Sequence, residues 1–352
     1  MDPETRRNIQ AARRLTSGLL PVEVSWQAVA GLGLRVAVDR GYEIDERFSV
    51  TTVPDFFALS TSEAFEVDLD PAEVVAWLEE KDRHNAVYLE LLVRLLARRL
   101  KYRAILRTQA FAVSEQVGPR TLLEHGFLDS GALAAIVVWR KWLMDIDNRA
   151  GQETGYLYDA VVARALGGRA YGAGNSPVKR TSGTGARQVD CVVEDPPNQY
   201  AYEVKIRVTD AASRQGRLNE ELSFPEDCAS SGYVPRLLVF DATPCTTLDA
   251  LVEAFENSGG GVYLGPRAYD HIRATAGSAQ AEFLRRYVAE PLKGYEDTMP
   301  DGEKGRALAG LRLSATPDLV ELVVDGYSPY VIKRDTNPAT VLSDEKYDEG
   351  AD

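Results

Sequence analysis

Two acidic residues and a lysine lie on what the sequence predicts to be two neighbouring strands: Asp190 on the first, Glu203 and Lys205 on the second. Residues 199–208 alternate between apolar and polar side chains, which is typical of a half-buried strand. Because successive side chains of a strand point to opposite faces, Glu203 and Lys205 share the polar face. Asp190 comes close to Glu203 if the two strands pair as a hairpin.

This group of side chains has the composition of a metal-assisted hydrolytic site. Two carboxylates that converge on one point repel each other unless a cation lies between them. Mg²⁺ suits such a pair, because it takes hard oxygen ligands and keeps waters and substrate phosphate in its shell. We therefore predict that Asp190 and Glu203 bind Mg²⁺, and that Lys205 orients or deprotonates a water for attack on phosphorus. The alternative is a cross-strand ion cluster exposed to solvent.

The triplet acid-x-Lys is not specific by itself, since it also occurs at residues 79–81 and 344–346. The first of these lies in a predicted helix, where positions i and i+2 point in different directions. The second lies in a polar tail without the alternation that would indicate a strand. Only Glu203 and Lys205 combine a strand, a preceding strand that carries an aspartate, and an adjacent loop without acidic residues.

The charge of the chain bears on its partner. The formal net charge is −13, which weakens the case for a nucleic-acid partner because phosphate contacts need Lys and Arg. The distribution matters more than the sum, however, and residues 164–187 contain five basic residues and no acidic one. This glycine- and serine-rich stretch can reach phosphates through side chains and backbone N–H groups. The predicted DNA-contacting residues of the loop are Lys179, Arg180, Ser182 and Arg187.

The basic surface continues beyond the predicted catalytic strand, through Arg207, Arg214 and Arg217. These side chains are predicted to contact DNA phosphates, with ion pairs to Glu220 or Glu221 as the alternative for the two that follow the strand. For the loop, the alternative is a merely solvated segment.

Composition excludes several other classes of protein. No apolar run approaches the roughly 20 residues that a membrane span needs. The polar N-terminus lacks the apolar segment of a secretory signal, so we expect a cytoplasmic protein. The three cysteines, widely spaced, predict neither a zinc site nor a disulfide framework. The three histidines are also scattered, which argues against a compact histidine-based nuclease motif.

The pattern of elements changes after residue 151, from mostly helical to an alternation of helices and strands. Two strands joined by a polar turn precede a helix, a strand, a second helix and a last strand, which predicts an α/β core. A helical segment and a hairpin follow, and then a polar tail. One predicted helix begins at residue 70 and includes residues 79–81. The other predicted helices span residues 86–107, 131–144, 153–166, 211–222, 248–257 and 279–288, and the predicted strands span 187–193, 199–208, 236–241 and 262–264, with the hairpin at 319–333.

Asp190, twelve intervening residues, and then Glu203-Val204-Lys205 resemble the PD-(D/E)xK motif of the restriction-endonuclease-like superfamily. The segments at residues 153–156, 176–180, 187–190 and 223–228 are similar to those of type II restriction endonucleases of the ApaLI type. Val189 stands where the motif name has proline, a departure that the superfamily tolerates.

The resemblance implies an α/β restriction-endonuclease-like core, a mixed β-sheet flanked by helices, over residues 151–265. Residues 1–150 would be a largely helical region for DNA recognition or dimerisation, and residues 266–352 an α+β C-terminal extension with an acidic tail. It further implies Mg²⁺-dependent cleavage of double-stranded DNA by a homodimer, with a companion DNA methyltransferase that protects the host. A glutamate on the first core helix often assists the metal site, which makes Glu153 a candidate; an acid near a helix N-terminus also simply favours the helix dipole.

Three other interpretations remain open from the sequence. The same fold serves nucleases that select branched or damaged DNA, although the large helical region favours a sequence reader. A catalytically silent DNA-binding module is a second alternative, against which the intact Asp190, Glu203 and Lys205 argue. An unrelated α/β enzyme acting on a small anionic substrate is the third, and it lacks a nucleotide-binding glycine motif.

Overall fold

The computed structural model describes residues 1–15, 21–48, 50, 52–57, 65–108, 119–183, 185–195, 198–208, 217–291, 311–324, 329–335 and 337. The helices are α1 (Pro3–Ala12), α2 (Trp26–Asp39), α3 (Pro71–Lys81), α4 (Asn85–Thr108), α5 (Pro119–His125), α6 (Ser130–Ala165), α7 (Arg217–Ser230), α8 (Thr246–Asn257), α9 (Pro266–Ala276) and α10 (Ser278–Leu284). The strands are β1 (Arg14–Leu15), β2 (Val22–Glu23), β3 (Arg169–Tyr171), β4 (Val189–Asp195), β5 (Asn198–Arg207), β6 (Val234–Asp241), β7 (Gly261–Leu264), β8 (Leu311–Thr316), β9 (Leu319–Val324) and β10 (Tyr330–Lys333).

A five-stranded mixed sheet with the order β3-β4-β5-β6-β7 forms the centre of the fold. The first three strands are antiparallel neighbours, and β5, β6 and β7 run parallel to one another. Parallel strands need crossover connections, and α7 and α8 supply them. The α/β class and the mixed, helix-flanked sheet predicted from the sequence are therefore confirmed.

The alternation of side chains on the strands divides the apolar interior between the two faces of the sheet. Tyr202 and Val204 lie in one hydrophobic cluster, together with residues of α1–α4, the end of α6, α9 and α10. Ala201 lies in the second cluster, on the face covered by α7 and α8. There Phe224 stacks on Phe255 with ring centroids 5.8 Å apart. Each large side chain buried in this way stabilises the fold by roughly 1.5–3 kcal/mol.

The N-terminal helices begin and pack as their sequence indicates. The carboxylate of Asp70 accepts the N–H of Ala72 and so caps α3, with Pro71 in the first turn. Helix α4 confirms the helix predicted for residues 86–107. These helices share the cluster on one sheet face with α9 and α10, so the apolar interior continues from the N-terminal region into the sheet.

Helix α6 differs from the prediction of two helices with a change of pattern near residue 151. It runs without interruption from Ser130 to Ala165, and the carboxylate of Asp129 caps its start by accepting the N–H of Gly131 and Ala132. A glycine inside a helix costs about 1 kcal/mol, which a helix of this length tolerates. The proposed division between residues 150 and 151 thus falls within one helix.

Helix α7 is also longer than the sequence predicts. The predicted helix ended at residue 222, whereas α7 continues to Ser230 with Pro225 inside it, although a proline in a helix removes one backbone donor. Phe224 and Cys228 are buried against the sheet, and this burial offsets the lost hydrogen bond. The first part of the predicted helix, residues 211–216, lies outside the described residues.

The hairpin predicted for residues 319–333 is confirmed as β9 and β10, which pair antiparallel. The sequence did not predict β8, which pairs with β9 and completes a three-stranded sheet. In the part of the chain that the structure describes, no helix has the length and apolar composition needed to cross a membrane.

Candidate active site

Strands β4 and β5 bring the predicted catalytic residues together. Their antiparallel register pairs Cys191 with Tyr202, so one further step along both strands places Asp190 beside Glu203. Regular pairing ends there, and the Asp190 carboxylate accepts the backbone N–H of Val204 at 2.9 Å. The side chain of Asp190 thereby fills a backbone hydrogen-bonding position and is fixed against β5 at the point where the strands part.

Lys205 lies two residues after Glu203 and shares its face of β5. Its Nζ is 2.7 Å from Oε1 of Glu203, and the Glu203 side chain retains only 13% exposure. Burial works against the charged form of Lys205, but the nearby carboxylates of Glu203 and Glu221 outweigh it and raise the pKa of the lysine above its usual value. The lysine is therefore a charged hydrogen-bond donor at neutral pH.

Glu221 is a member of this group that the sequence analysis did not assign to the site. It lies on α7, and its Oε1 is 3.0 Å from Nζ of Lys205. The lysine thus bridges a carboxylate of the sheet and a carboxylate of the covering helix. The sequence identified Glu221 only as a possible ion-pair partner for arginines, because the separation from Lys205 along the chain gives no periodicity that would connect them.

The carboxylates of Asp190 and Glu203 fit a Mg²⁺ site in which waters and substrate phosphate oxygens supply the remaining ligands. Among the described residues, no group of three or more His, Cys, Asp and Glu side chains forms a ready-made metal cage. Asp190 and Glu203 nevertheless supply two carboxylates from adjacent strands. One or two carboxylates, with waters and phosphate oxygens, are the usual protein contribution to a Mg²⁺ site at which a phosphate reacts.

Glu153 belongs to helix α6, whose last turns pack in the apolar cluster of the sheet face opposite α7 and α8. Its side chain lies outside the described residues, so its assistance to the metal site stays a prediction.

The basic loop predicted to contact phosphate forms a short hairpin. Lys179 and Ala186 form an isolated β-bridge, and the N–H of Arg180 donates to the carbonyl of Gly185 at 3.2 Å. Lys179 and Ser182 are exposed. The Arg180 guanidinium pairs with Glu220 of α7 at 3.1 Å, a solvent-exposed contact of small net energy. The contact of these three residues with phosphate stays a prediction.

Arg187 is placed differently from the other residues of the loop. It is only 6% exposed, and its Nη1 donates to Oδ2 of Asp227 at 2.5 Å and to Oγ of Ser223 at 3.2 Å. The guanidinium also lies over the ring of Phe224. A phosphate would have to displace a buried carboxylate to reach it, so the structure gives Arg187 a part in holding the loop rather than in direct contact with DNA.

The remaining predicted phosphate ligands are described less completely. Arg207 ends β5 and Arg217 begins α7, but the side chains of both lie outside the described residues. Arg214 lies outside them altogether. Their predicted contacts with phosphate therefore stay predictions.

All three cysteines are free, and the two buried ones are poorly suited to nucleophilic chemistry. Burial raises the pKa of the Cys191 thiol to about 12. Burial and the nearby Glu203 carboxylate raise the pKa of Cys228 as well. Since the thiolate is the reactive form, neither residue competes with the carboxylates and lysine as the chemical centre.

Comparison with known proteins identifies the family. The profile of the family described as ApaLI-like restriction endonuclease matches residues 60–289, which include α3–α10, the whole five-stranded sheet and the site built on β4 and β5. The chain belongs to the ApaLI-like restriction endonuclease family. The match begins after α2, although α2 contributes to the same apolar cluster as the family region.

A curated relative supports this membership of the ApaLI-like family. The chain is 42% identical over 249 residues to "Type II restriction enzyme ApaLI" from Acetobacter pasteurianus. The aligned part covers 69% of this chain and 66% of the relative, slightly less than two thirds of that protein. No solved structure matches the chain.

Proposed function

We propose that this protein is a type II restriction endonuclease, which uses Mg²⁺ to hydrolyse phosphodiester bonds of double-stranded DNA at a specific short sequence. The observation that carries the proposal is the convergence of Asp190, Glu203 and Lys205 on two paired strands. Membership of the ApaLI-like family and the identity to a relative named as a type II restriction enzyme support it.

In this proposal, Asp190 and Glu203 hold Mg²⁺ and Lys205 acts on the water. The metal, when bound, lowers the pKa of a coordinated water and stabilises charge on the phosphoryl oxygens. Lys205, held beside Glu203 at 2.7 Å, is placed to orient or deprotonate that water. Glu221 holds the ammonium group in place from α7.

The DNA partner would be bound first through its phosphates. Lys179, Arg180 and Ser182 form one contact surface on the hairpin, and Arg207, Arg214 and Arg217 are proposed to extend it. A homodimer suits a palindromic site, because a twofold protein then matches a twofold sequence. A companion DNA methyltransferase would protect host DNA, and both proteins would act in the cytoplasm.

We keep the proposed division of labour along the chain, with catalysis in residues 151–265. The helical region 1–150 would serve DNA recognition or dimerisation, and residues 266–352 would form an extension. The catalytic residues Asp190, Glu203 and Lys205 all fall in the central part. Because helix α6 continues across residue 150, the first two regions share one helix.

Digestion of mixed, unmethylated plasmid and phage DNA, with and without Mg²⁺, tests the proposal. We expect discrete fragments that require the metal. A smear, or preference for branched substrates over linear duplex, would instead favour a structure-selective nuclease of the same fold. Retention of DNA in a gel-shift assay without cleavage under any metal would favour the silent DNA-binding module.

A further inference from the structure

We propose that Asp227 is a positioning residue that locks the DNA-facing hairpin, residues 178–187, onto the helix that holds the catalytic lysine. This inference rests on the proposed function, because it gives the hairpin a DNA contact. The anchoring of the hairpin by Asp227, however, can be tested on the protein without DNA.

Asp227 is only 1% exposed, yet it is surrounded by donors from the hairpin. Its Oδ1 accepts the backbone N–H of Thr181 at 2.7 Å and the Thr181 hydroxyl at 2.7 Å. Its Oδ2 accepts Nη1 of Arg187 at 2.5 Å. A single buried carboxylate thus binds both the tip and the second strand of the hairpin.

Among its described residues the hairpin has few backbone bonds of its own, so it depends on anchors outside it: Asp227, and Ser231, whose hydroxyl accepts the N–H of Lys179 at 2.8 Å. Besides the contacts at Lys179, Arg180 and Ala186, the N–H of Arg187 donates to the carbonyl of Val178 at 2.9 Å. An isolated two-stranded hairpin is marginally stable in water. Hydrogen bonds to a charged acceptor are worth more than neutral ones, and removal from water strengthens them further.

The same helix connects the hairpin to the catalytic strand. Glu220 and Glu221 lie about two turns before Asp227 on α7, and they contact Arg180 and Lys205 respectively. The exposed Arg180–Glu220 pair can exchange for an Arg180–phosphate contact, whereas the buried Arg187–Asp227 pair stays closed. Asp227 therefore presents the hairpin at a fixed distance from Lys205 before DNA arrives.

Preorganisation of this kind changes substrate affinity more than the chemical step. If the hairpin must be ordered by DNA, part of the binding energy is spent on ordering it. Loss of the anchor should then raise KM, while kcat at saturating DNA changes little. Replacement of a residue that only stabilised the fold would lower the melting temperature without raising KM selectively over kcat.

Thr181→Val is the first variant, because it removes one hydroxyl at an exposed position and leaves the buried ion pair intact. We expect KM for DNA to rise about fivefold with kcat within about twofold of wild type. The matched control is Thr275→Val on α9, which also loses one threonine hydroxyl bond and should leave both constants unchanged.

A second variant removes both charges of the buried Arg187–Asp227 pair together, so that neither charge is left buried without its partner. Arg187→Gln combined with Asp227→Asn keeps a polar pair of similar size in the same place. Hydrogen exchange of DNA-free protein should show protection lost by about tenfold within residues 178–187 and retained in the five-stranded sheet. In this background, Thr181→Val should have little further effect on KM, because the acceptor it addresses is already weakened.

The two proposals fail in distinguishable ways. Wild-type protein that cleaves no DNA overturns the proposed function, while hydrogen exchange still tests the anchor. Unchanged exchange in residues 178–187 of the double variant, or a fall in kcat at constant KM in Thr181→Val, overturns the role of Asp227.

Discussion

Nζ of Lys205 lies 2.7 Å from Oε1 of Glu203, the residue two positions earlier on the same strand. The contact follows from the two-residue period of a strand, which puts both side chains on one face. Glu221 closes the other side of the ammonium group from α7. The proposed catalytic arrangement is therefore a charged lysine held between a proposed metal ligand and a helix carboxylate.

Glu221→Gln should slow cleavage without abolishing it. The lysine loses one charged acceptor, so its orientation weakens while Asp190 and Glu203 remain in place. We expect kcat to fall about tenfold with KM nearly unchanged. Steady-state cleavage rates measure this, with Glu226→Gln on the same helix as the control, since Glu226 is exposed. An unchanged kcat in Glu221→Gln would mean that Lys205 does not depend on the helix.

Gly31→Ala should destabilise the protein, although alanine is the better helix former. A methyl group at this position of α2 would overlap the backbone carbonyl of Phe65, which cannot move as a side-chain end could. We expect a loss of about 2 kcal/mol in the free energy of unfolding. Urea denaturation of Gly31→Ala beside Gly131→Ala, which meets only a side-chain oxygen at 3.2 Å, measures the difference. Equal stability of the two variants would contradict the close packing of α2.

Asp39→Asn should lower stability strongly, because the Asp39 carboxylate joins distant parts of the chain. It accepts hydrogen bonds from Arg35, Tyr88 and Tyr287, and its side chain has no exposed surface. Without the charge, Arg35 stays buried next to a neutral partner, at a cost of about 3 kcal/mol. Urea denaturation with the exposed Asp68→Asn as control tests this. A loss below that of the control would show that the network contributes no net stability.

His271 should make the protein less stable as the pH falls below neutrality. Burial, and then the positive charge of Arg236, lower the pKa of its imidazole from 6.5 to about 4. Between about pH 6.5 and pH 4, the histidine is protonated in the unfolded chain but neutral in the folded protein. The free energy of unfolding therefore decreases as the pH falls through this range. The neutral ring contacts the Tyr202 hydroxyl at 3.1 Å.

His271→Gln removes the titrating group and keeps an acceptor for Tyr202. We expect the free energy of unfolding to vary less with pH over this range, by on the order of 1 kcal/mol after allowing for the partial exposure of the ring. Denaturation at a series of pH values gives the comparison. A variant as pH-dependent as the wild type would show that His271 titrates normally in the fold.

Local patterns in the sequence were enough to predict much of the fold and the close approach of Asp190, Glu203 and Lys205. The alternation along β5 predicted both its burial and the shared face of Glu203 and Lys205, because a strand has a fixed period. The cap at Asp70 predicted the start of α3, since the capping bond is local. In each case the information lies within a few residues of the feature that it determines.

The features that the sequence did not predict depend on contacts between residues that are far apart in the chain. Arg187 was predicted to bind phosphate, but its partner Asp227 lies 40 residues away on a helix expected to have ended before it. Glu221 was missed for the same reason. The prediction ended α7 at residue 222, but the helix continues through Pro225 to Ser230, and the burial of Phe224 that accompanies this depends on the assembled sheet.

Single-turnover cleavage by Glu203→Gln tests the central claim most directly. The variant keeps the size of the side chain but loses the charge that would hold the metal. With DNA binding retained, cleavage should be slower by roughly 10³-fold or more, corresponding to several kcal/mol of lost stabilisation. Glu226→Gln should cleave at the wild-type rate. Cleavage by Glu203→Gln at the wild-type rate would contradict the assignment of the active site to β4 and β5.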